Sequence, residues 1–173
     1  MKFSFETTYD QKTLTVMARC LRKTVRRSRS KRSHIYGWIV VVLALLLSFS
    51  SGEVTVKSIV TWLVALVIVL ALLFEDRLNG YFARKRMLKG AEKAFSTFDT
   101  ERVNTFLSET AIGKTEFSYD GILLVAETPG YFVFLLSASH AQIYDKASLS
   151  GGTAEQFRAY ITGKTNKEII PVK

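Results

Sequence analysis

Two apolar runs without a charged residue restrict this chain more than any other feature. Residues 35–49 read IYGWIVVVLALLLSF and residues 59–74 read IVTWLVALVIVLALLF. A helix rises about 1.5 Å per residue, so each run covers about 24 Å. The hydrocarbon core of a bilayer is about 30 Å thick. Flanking residues close the gap: Ser50, Ser51 and Gly52 extend the first run, and Val54 and Val56 extend the second. Lys57 can reach back to the headgroups. The expected arrangement is a two-helix transmembrane hairpin, about 35–52 and 56–74.

Two other origins for such runs fit less well. A secretory signal has a shorter apolar core nearer the start of the chain. Here 34 residues precede the first run, and a second run follows it directly. A helical pair in a soluble core keeps a polar stripe, and these runs are apolar all round.

The flanks give the orientation. Residues 1–34 hold ten Lys or Arg and two Asp or Glu, whereas the connector holds only Glu53 and Lys57. Residues 75–98 hold six basic and three acidic residues, and residues 99–173 are slightly acidic. Basic residues thus crowd both outer flanks, which predicts a multi-pass protein with both termini in the cytoplasm. The net charge of +9 is therefore juxtamembrane. It points to anionic headgroups and away from nucleic acid. Cys20 is the only cysteine, so no intramolecular disulfide and no thiol cluster can form. Acylation at Cys20 is chemically open.

Taken in order, Phe3 and Phe5 alternate with polar residues, a strand signal with no local partner. Thr8 and Gln11 fit a capping box for a basic amphipathic helix carrying Arg19, Arg22, Lys23, Arg26 and Arg27. Such a helix suits a membrane surface or packing on the cytoplasmic domain. Residues 28–33, SRSKRS, predict a turn before the bilayer. Tyr36, Trp38 and Trp62 are placed at the membrane interfaces, where amphipathic rings are favoured. After the second run a basic helix is expected over 75–93, with Arg84, Lys85, Arg86 and Lys89 on its polar face. These two basic groups are expected to converge on the inner leaflet.

From residue 94 the period changes toward two. Short strands are expected near Phe95–Phe98, Val103–Leu107, KTEFSY after Gly113, residues 122–126, 131–136 and 141–144. That spacing predicts a small antiparallel barrel or sandwich. Thr153 and Gln156 fit a capping box for a final helix with Phe157, Tyr160 and Ile161 on its apolar face. The tail from Gly163 reads as polar and loose. The segments are thus 1–33 (strand and basic helix), 34–74 (hairpin), 75–93 (juxtamembrane helix) and 94–173 (cytoplasmic domain).

Within this last segment, FSYDGI (117–122), AETPGYFVFLL (126–136) and QIYDKASLSGGTAEQF (142–157) resemble the C-terminal domain of the YcxB-like family of bacterial membrane proteins. Asp145 stands where the family often has proline before the lysine, here Lys146. The resemblance implies a bacterial inner-membrane location and a pleckstrin-homology-like domain, a bent antiparallel sheet plugged by a C-terminal helix. The whole would be an α+β membrane protein whose N-terminal strand joins the sheet. It implies no catalytic residues.

The residues themselves carry no enzyme signature. His34 and His140 lack ligand-spaced partners, and no glycine-rich phosphate loop is present. Neither catalytic, metal nor cofactor-binding residues are expected. The expected function is a membrane-anchored binding or scaffold module engaging a protein or lipid at the inner leaflet, with homo-oligomers a further arrangement. The other class is an accessory or immunity-type protein acting through its hairpin on another membrane protein, with Ala44 and Ala65 as small contact residues.

Overall fold

A computed structural model describes residues 2–50 and 55–173 of the chain. The connector residues 51–54, with Glu53, lie outside the described residues. The elements in order are β1 (Lys2–Thr8), α1 (Gln11–Lys23), α2 (Arg27–Ser50), α3 (Val56–Leu73), α4 (Glu75–Arg86), β2 (Lys93–Asp99), β3 (Thr105–Thr110), β4 (Gly113–Ser118), β5 (Leu124–Glu127), β6 (Tyr131–Leu135), β7 (Ala141–Asp145), α5 (Ala154–Thr165) and β8 (Ile169–Pro171). The described residues form an α+β protein with two four-stranded sheets, ordered β1-β2-β3-β4 and β7-β6-β5-β8.

The N-terminal strand joins a sheet, as its alternation predicts. β1 pairs antiparallel with β2, with Phe3 opposite Phe98, Phe5 opposite Ser96 and Thr7 opposite Ala94. The two helices α2 and α3 are therefore an insertion between two pieces of one folded unit. The inward faces of both sheets meet over an aromatic cluster. Phe157 of α5 enters it, with ring centroids 4.7 Å from Phe5, 5.0 Å from Phe98 and 5.1 Å from Phe132. The pairs with Phe5 and Phe98 are edge-on, and such aromatic pairs add about 0.5–1.5 kcal/mol each beyond area burial. The Thr153–Gln156 capping box that starts α5 is present.

The second sheet is buried on both faces, which explains the unbroken apolar run of β6. Its outer face packs Ala126, Val133, Leu135 and Ile143 against Cys20 and Leu21 of α1. α1 in turn packs on α4. The closest approach is at Gly80, where a Cβ would lie 2.6 Å from Thr15 Oγ1 and 2.8 Å from its backbone nitrogen.

The sheets meet along one seam. Ser4 and Ser150 exchange two 3.0 Å backbone bonds, Glu6 N–H donates to Ser148 Oγ at 3.0 Å, and Asp145 N–H donates to Thr7 Oγ1 at 3.2 Å. Gly151, at φ +90°, passes Lys2 so closely that a Cβ would sit 1.9 Å from its carbonyl oxygen. On the far side β4 pairs only with β3, so the sheets do not close into a barrel.

Several expectations are corrected. The first helix is capped by Asp10, whose carboxylate accepts from Thr13 N–H at 2.7 Å, and not by Thr8. The SRSKRS stretch is helical and belongs to α2. It lacks Gly and Pro, Lys and Arg are good helix formers, and Ser30 and His34 are held by Glu75. α4 stops at Arg86 because Met87 turns extended at φ −69°, ψ 139°. β3 begins at Thr105, leaving Val103 75% exposed. The tail is not loose: α5 runs to Thr165, Asn166 closes it in the left-handed conformation, and β8 pairs parallel with β5.

α2 and α3 are long and apolar enough to cross a membrane, with mean hydropathy of 1.6 and 2.6. Only 6% and 11% of their most apolar stretches is buried in the protein. They pack on each other, with Val41 and Ala65 buried and Gly37 close to Leu72, while Leu46, Leu47 and Val67 remain more than 60% exposed.

Candidate functional site

Two of the hollows among the described residues are lined in part by α1, one of them shared with α2 and the chain's last residues and the other with α4 and the first sheet. The first is a cationic cleft of about 690 Å³ at the foot of α2. Arg22 and Lys23 of α1, Arg27, Lys31 and His34 of α2, and Lys173 beyond β8 line it, and no acidic side chain does. Polar contacts beside it fix the helices. Arg22 grips Asp76 through two bonds of 2.6 and 2.7 Å, and Arg19 lies 3.6 Å from the same carboxylate. The carboxylate holds the Arg22 guanidinium above its ordinary pKa. Glu75 takes His34 Nε2 at 2.7 Å and Ser30 Oγ at 3.2 Å. Lys23 Nζ donates to the Lys173 carbonyl at 2.5 Å. Arg27 and Lys31 have no ion-pair partner among the described residues.

The second hollow, about 620 Å³, opens where α1 and α4 face the inner side of the first sheet. Cross-strand register explains it. At one end of that face Phe3, Phe98, Phe106 and Phe117 lie abreast. Two residues along, the row is Phe5, Ser96, Ser108 and Thr115, and two further it is Thr7, Ala94, Thr110 and Gly113. Aromatic rings fill the first end, and small residues leave the other empty. Tyr9 donates to Gln142 Oε1 across the rim at 2.7 Å, and burial pushes the Tyr9 hydroxyl up to about 12.

The structure separates the two basic groups expected from the sequence. Arg19, Arg22, Lys23 and Arg27 gather at or beside the cleft, and Arg26 donates to the Ala138 carbonyl. Arg84, Lys85 and Arg86 occupy the last turn of α4, with Lys89 beyond it. That places them about 15 Å or more along the helix from Phe74. Arg86 lines the second hollow, not the cleft. Tyr36 and Trp38 are exposed, whereas Trp62 packs on Phe49 across the hairpin at 6.0 Å. Ala65 is buried inside the hairpin, so it is not free for another helix. Cys20 is fully buried, and burial pushes its thiol up to about 11, which disfavours acylation.

The sequence reading missed a third polar group. Glu127 of β5 accepts from Arg158 at 2.8 and 2.9 Å and from Lys146 at 2.5 Å. Lys146 also caps the Thr128 carbonyl and stands 4.7 Å over the Phe132 ring. Arg158 chiefly, with Lys146, holds the Glu127 carboxyl below the ordinary carboxylate range. The triad ties β5, the segment after β7 and α5 together. It also gives Lys146 a structural role that needs no proline before it. Only spacing of 19 and 31 residues separates its members, so no local pattern marks it.

Residues 102–161 match the family model described as YcxB-like protein. This YcxB-like segment runs from the loop before β3 into α5 and contains the whole Glu127 triad. It supplies Ser108, Thr110, Thr115 and Phe117 of the sheet wall of the second hollow, whereas Ala94 of β2, Tyr9, Met17 and Arg86 come from outside it. Neither the curated proteins nor the solved structures give a match to this chain.

Proposed function

We propose that the chain is a membrane-anchored binding module of the bacterial inner membrane. Its hairpin crosses the bilayer, both termini are cytoplasmic, and the two-sheet domain is held against anionic lipid at the inner leaflet, where it engages a protein or lipid. The observation that carries this is the cleft at the foot of the apolar helix α2, where Arg27 and Lys31 have no ion-pair partner among the described residues. With Ile35 at the boundary, Lys31 stands about 6 Å and Arg27 about 12 Å along the helix from the hydrocarbon. Both lie within or near one Debye length of the headgroups, about 8–10 Å at physiological salt. Each basic residue there contributes about 1 kcal/mol of attraction. The hairpin anchors the protein, so this attraction sets the posture of the domain.

The test is the distance from a label at Gly163 to the lipid surface, in nanodiscs of anionic and of neutral lipid, at low and high salt. The domain is expected to stand closer on anionic lipid and to move away when salt is raised. Reversing Arg27 and Lys31 to Glu should abolish that difference. A distance indifferent to lipid charge and salt contradicts the reading.

A further inference from the structure

We infer that the hollow between α4 and the inner face of the first sheet is a binding site for a small amphiphile with one anionic head, a carboxylate on an apolar body. Its volume, about 620 Å³, lies within the ~300–1,000 Å³ of pockets that enclose small ligands. The space follows from side-chain size. Across four strands the inward residues shrink from a row of phenylalanines to Thr7, Ala94, Thr110 and Gly113. The opposite wall does not fill it, because α4 presents Ala83 and α1 presents Leu14 and Met17.

The chemistry of the wall selects the ligand. Leu14, Met17, Met87, Ala94 and Phe117 offer apolar surface. Arg86 is the single fixed charge on the wall, no acidic side chain lines it, and Arg86 has no ion-pair partner among the described residues. Gln142 accepts the Tyr9 hydroxyl through its oxygen, which turns the amide N–H groups away from that bond and leaves them to donate. His140 stands at the same rim. An anion therefore finds the Arg86 guanidinium and the Gln142 amide N–H groups, while a cationic head would meet Arg86. Because α1 and α4 are locked at Gly80 and by Arg22–Asp76, an occupant would bridge that helix pair to the sheet. The inference does not depend on the cationic cleft, which shares no lining residue with this hollow.

The experiment uses the full chain in nanodiscs of neutral lipid and an aryl diazirine carboxylate as photoprobe, with labelled peptides read by mass spectrometry. Labelling is expected on peptides spanning residues 83–94 and 139–142. Octanoate should compete at least tenfold better than octanol or octylamine. Arg86→Gln should lower labelling about tenfold, and Ala83→Trp, which fills the space from an exposed helix, should remove it. Both variants should keep the wild-type unfolding midpoint, since neither residue is in the core. Labelling confined to the hairpin, competition by octanol equal to octanoate, or labelling unchanged in Arg86→Gln would overturn the proposal.

Discussion

The hairpin and the two-sheet unit are both rich in large apolar side chains, yet they treat them oppositely. In the sheets Phe5, Phe98, Phe106, Phe132 and Phe134 are wholly buried, whereas in the hairpin Leu46, Leu47 and Phe49 are 61–74% exposed. The sheet unit completes its own interior. The hairpin leaves most of its apolar surface uncovered by the rest of the protein. Between them stands a polar joint, the Arg22–Asp76 ion pair and the His34–Glu75 contact, at the end of each apolar stretch. Residue type alone does not distinguish the regions. What distinguishes them is whether cross-chain partners exist.

The sharpest way to break this contrast is a matched truncation. Phe98→Ala should cost about 3–5 kcal/mol of unfolding free energy, the range for a buried phenylalanine. Leu47→Ala should leave the stability of the sheet unit unchanged. Denaturant titration of the full chain in nanodiscs, followed by tyrosine fluorescence of the domain, checks both. Equal losses would mean that the hairpin is packed as a core.

The joint comes next. Asp76→Ala removes the acceptor of a charge-assisted pair and should cost about 2–3 kcal/mol. A double-mutant cycle with Arg22→Ala should show coupling. Additive losses would show that α1 is held to α4 by apolar packing and Gly80 alone.

Within the sheet unit, Glu127 supplies a pH signature. Its pKa is depressed on folding, chiefly by Arg158. Its contribution is therefore present above the unfolded carboxyl pKa, near 4.5, and is lost as pH falls through the lower folded value. Glu127→Gln should remove on the order of 1 kcal/mol at pH 7 and flatten that part of the acid limb. Parallel acid limbs in mutant and wild type would contradict the pairing.

The smallest effect concerns Cys20. With the thiol pushed up to about 11, about one thiol in a thousand is ionised at pH 8. Alkylation of the folded chain should be slow and should speed up on denaturation. Rapid reaction of the native protein would show α1 detaching from the second sheet.

How much of this was written in the sequence depends on whether the signal is local. The apolar runs of α2 and α3 carry their meaning in consecutive residues. The alternation of Phe3 and Phe5 likewise marked β1 as a strand needing a distant partner, found at β2. Other features exist only across the chain. Ile169–Pro171 is too short to show a period, and its pairing with β5 decides that it is a strand. The small-residue row becomes a cavity wall only once register sets Ala94 beside Thr110. The basic charges were visible as a belt. Their division between the cleft and the last turn of α4 depends on where α4 ends, which Met87 fixes through its backbone.

The central claim is that the exposed hairpin lies in a bilayer with the sheet unit on the cytoplasmic side. Single cysteines at Ser51 and at Gly163, with Cys20 replaced, test it by labelling with a membrane-impermeant maleimide in intact cells. Labelling at Ser51 in intact cells, and at Gly163 only after permeabilisation, is the predicted result. Labelling at Gly163 in intact cells, with Ser51 protected, would contradict it.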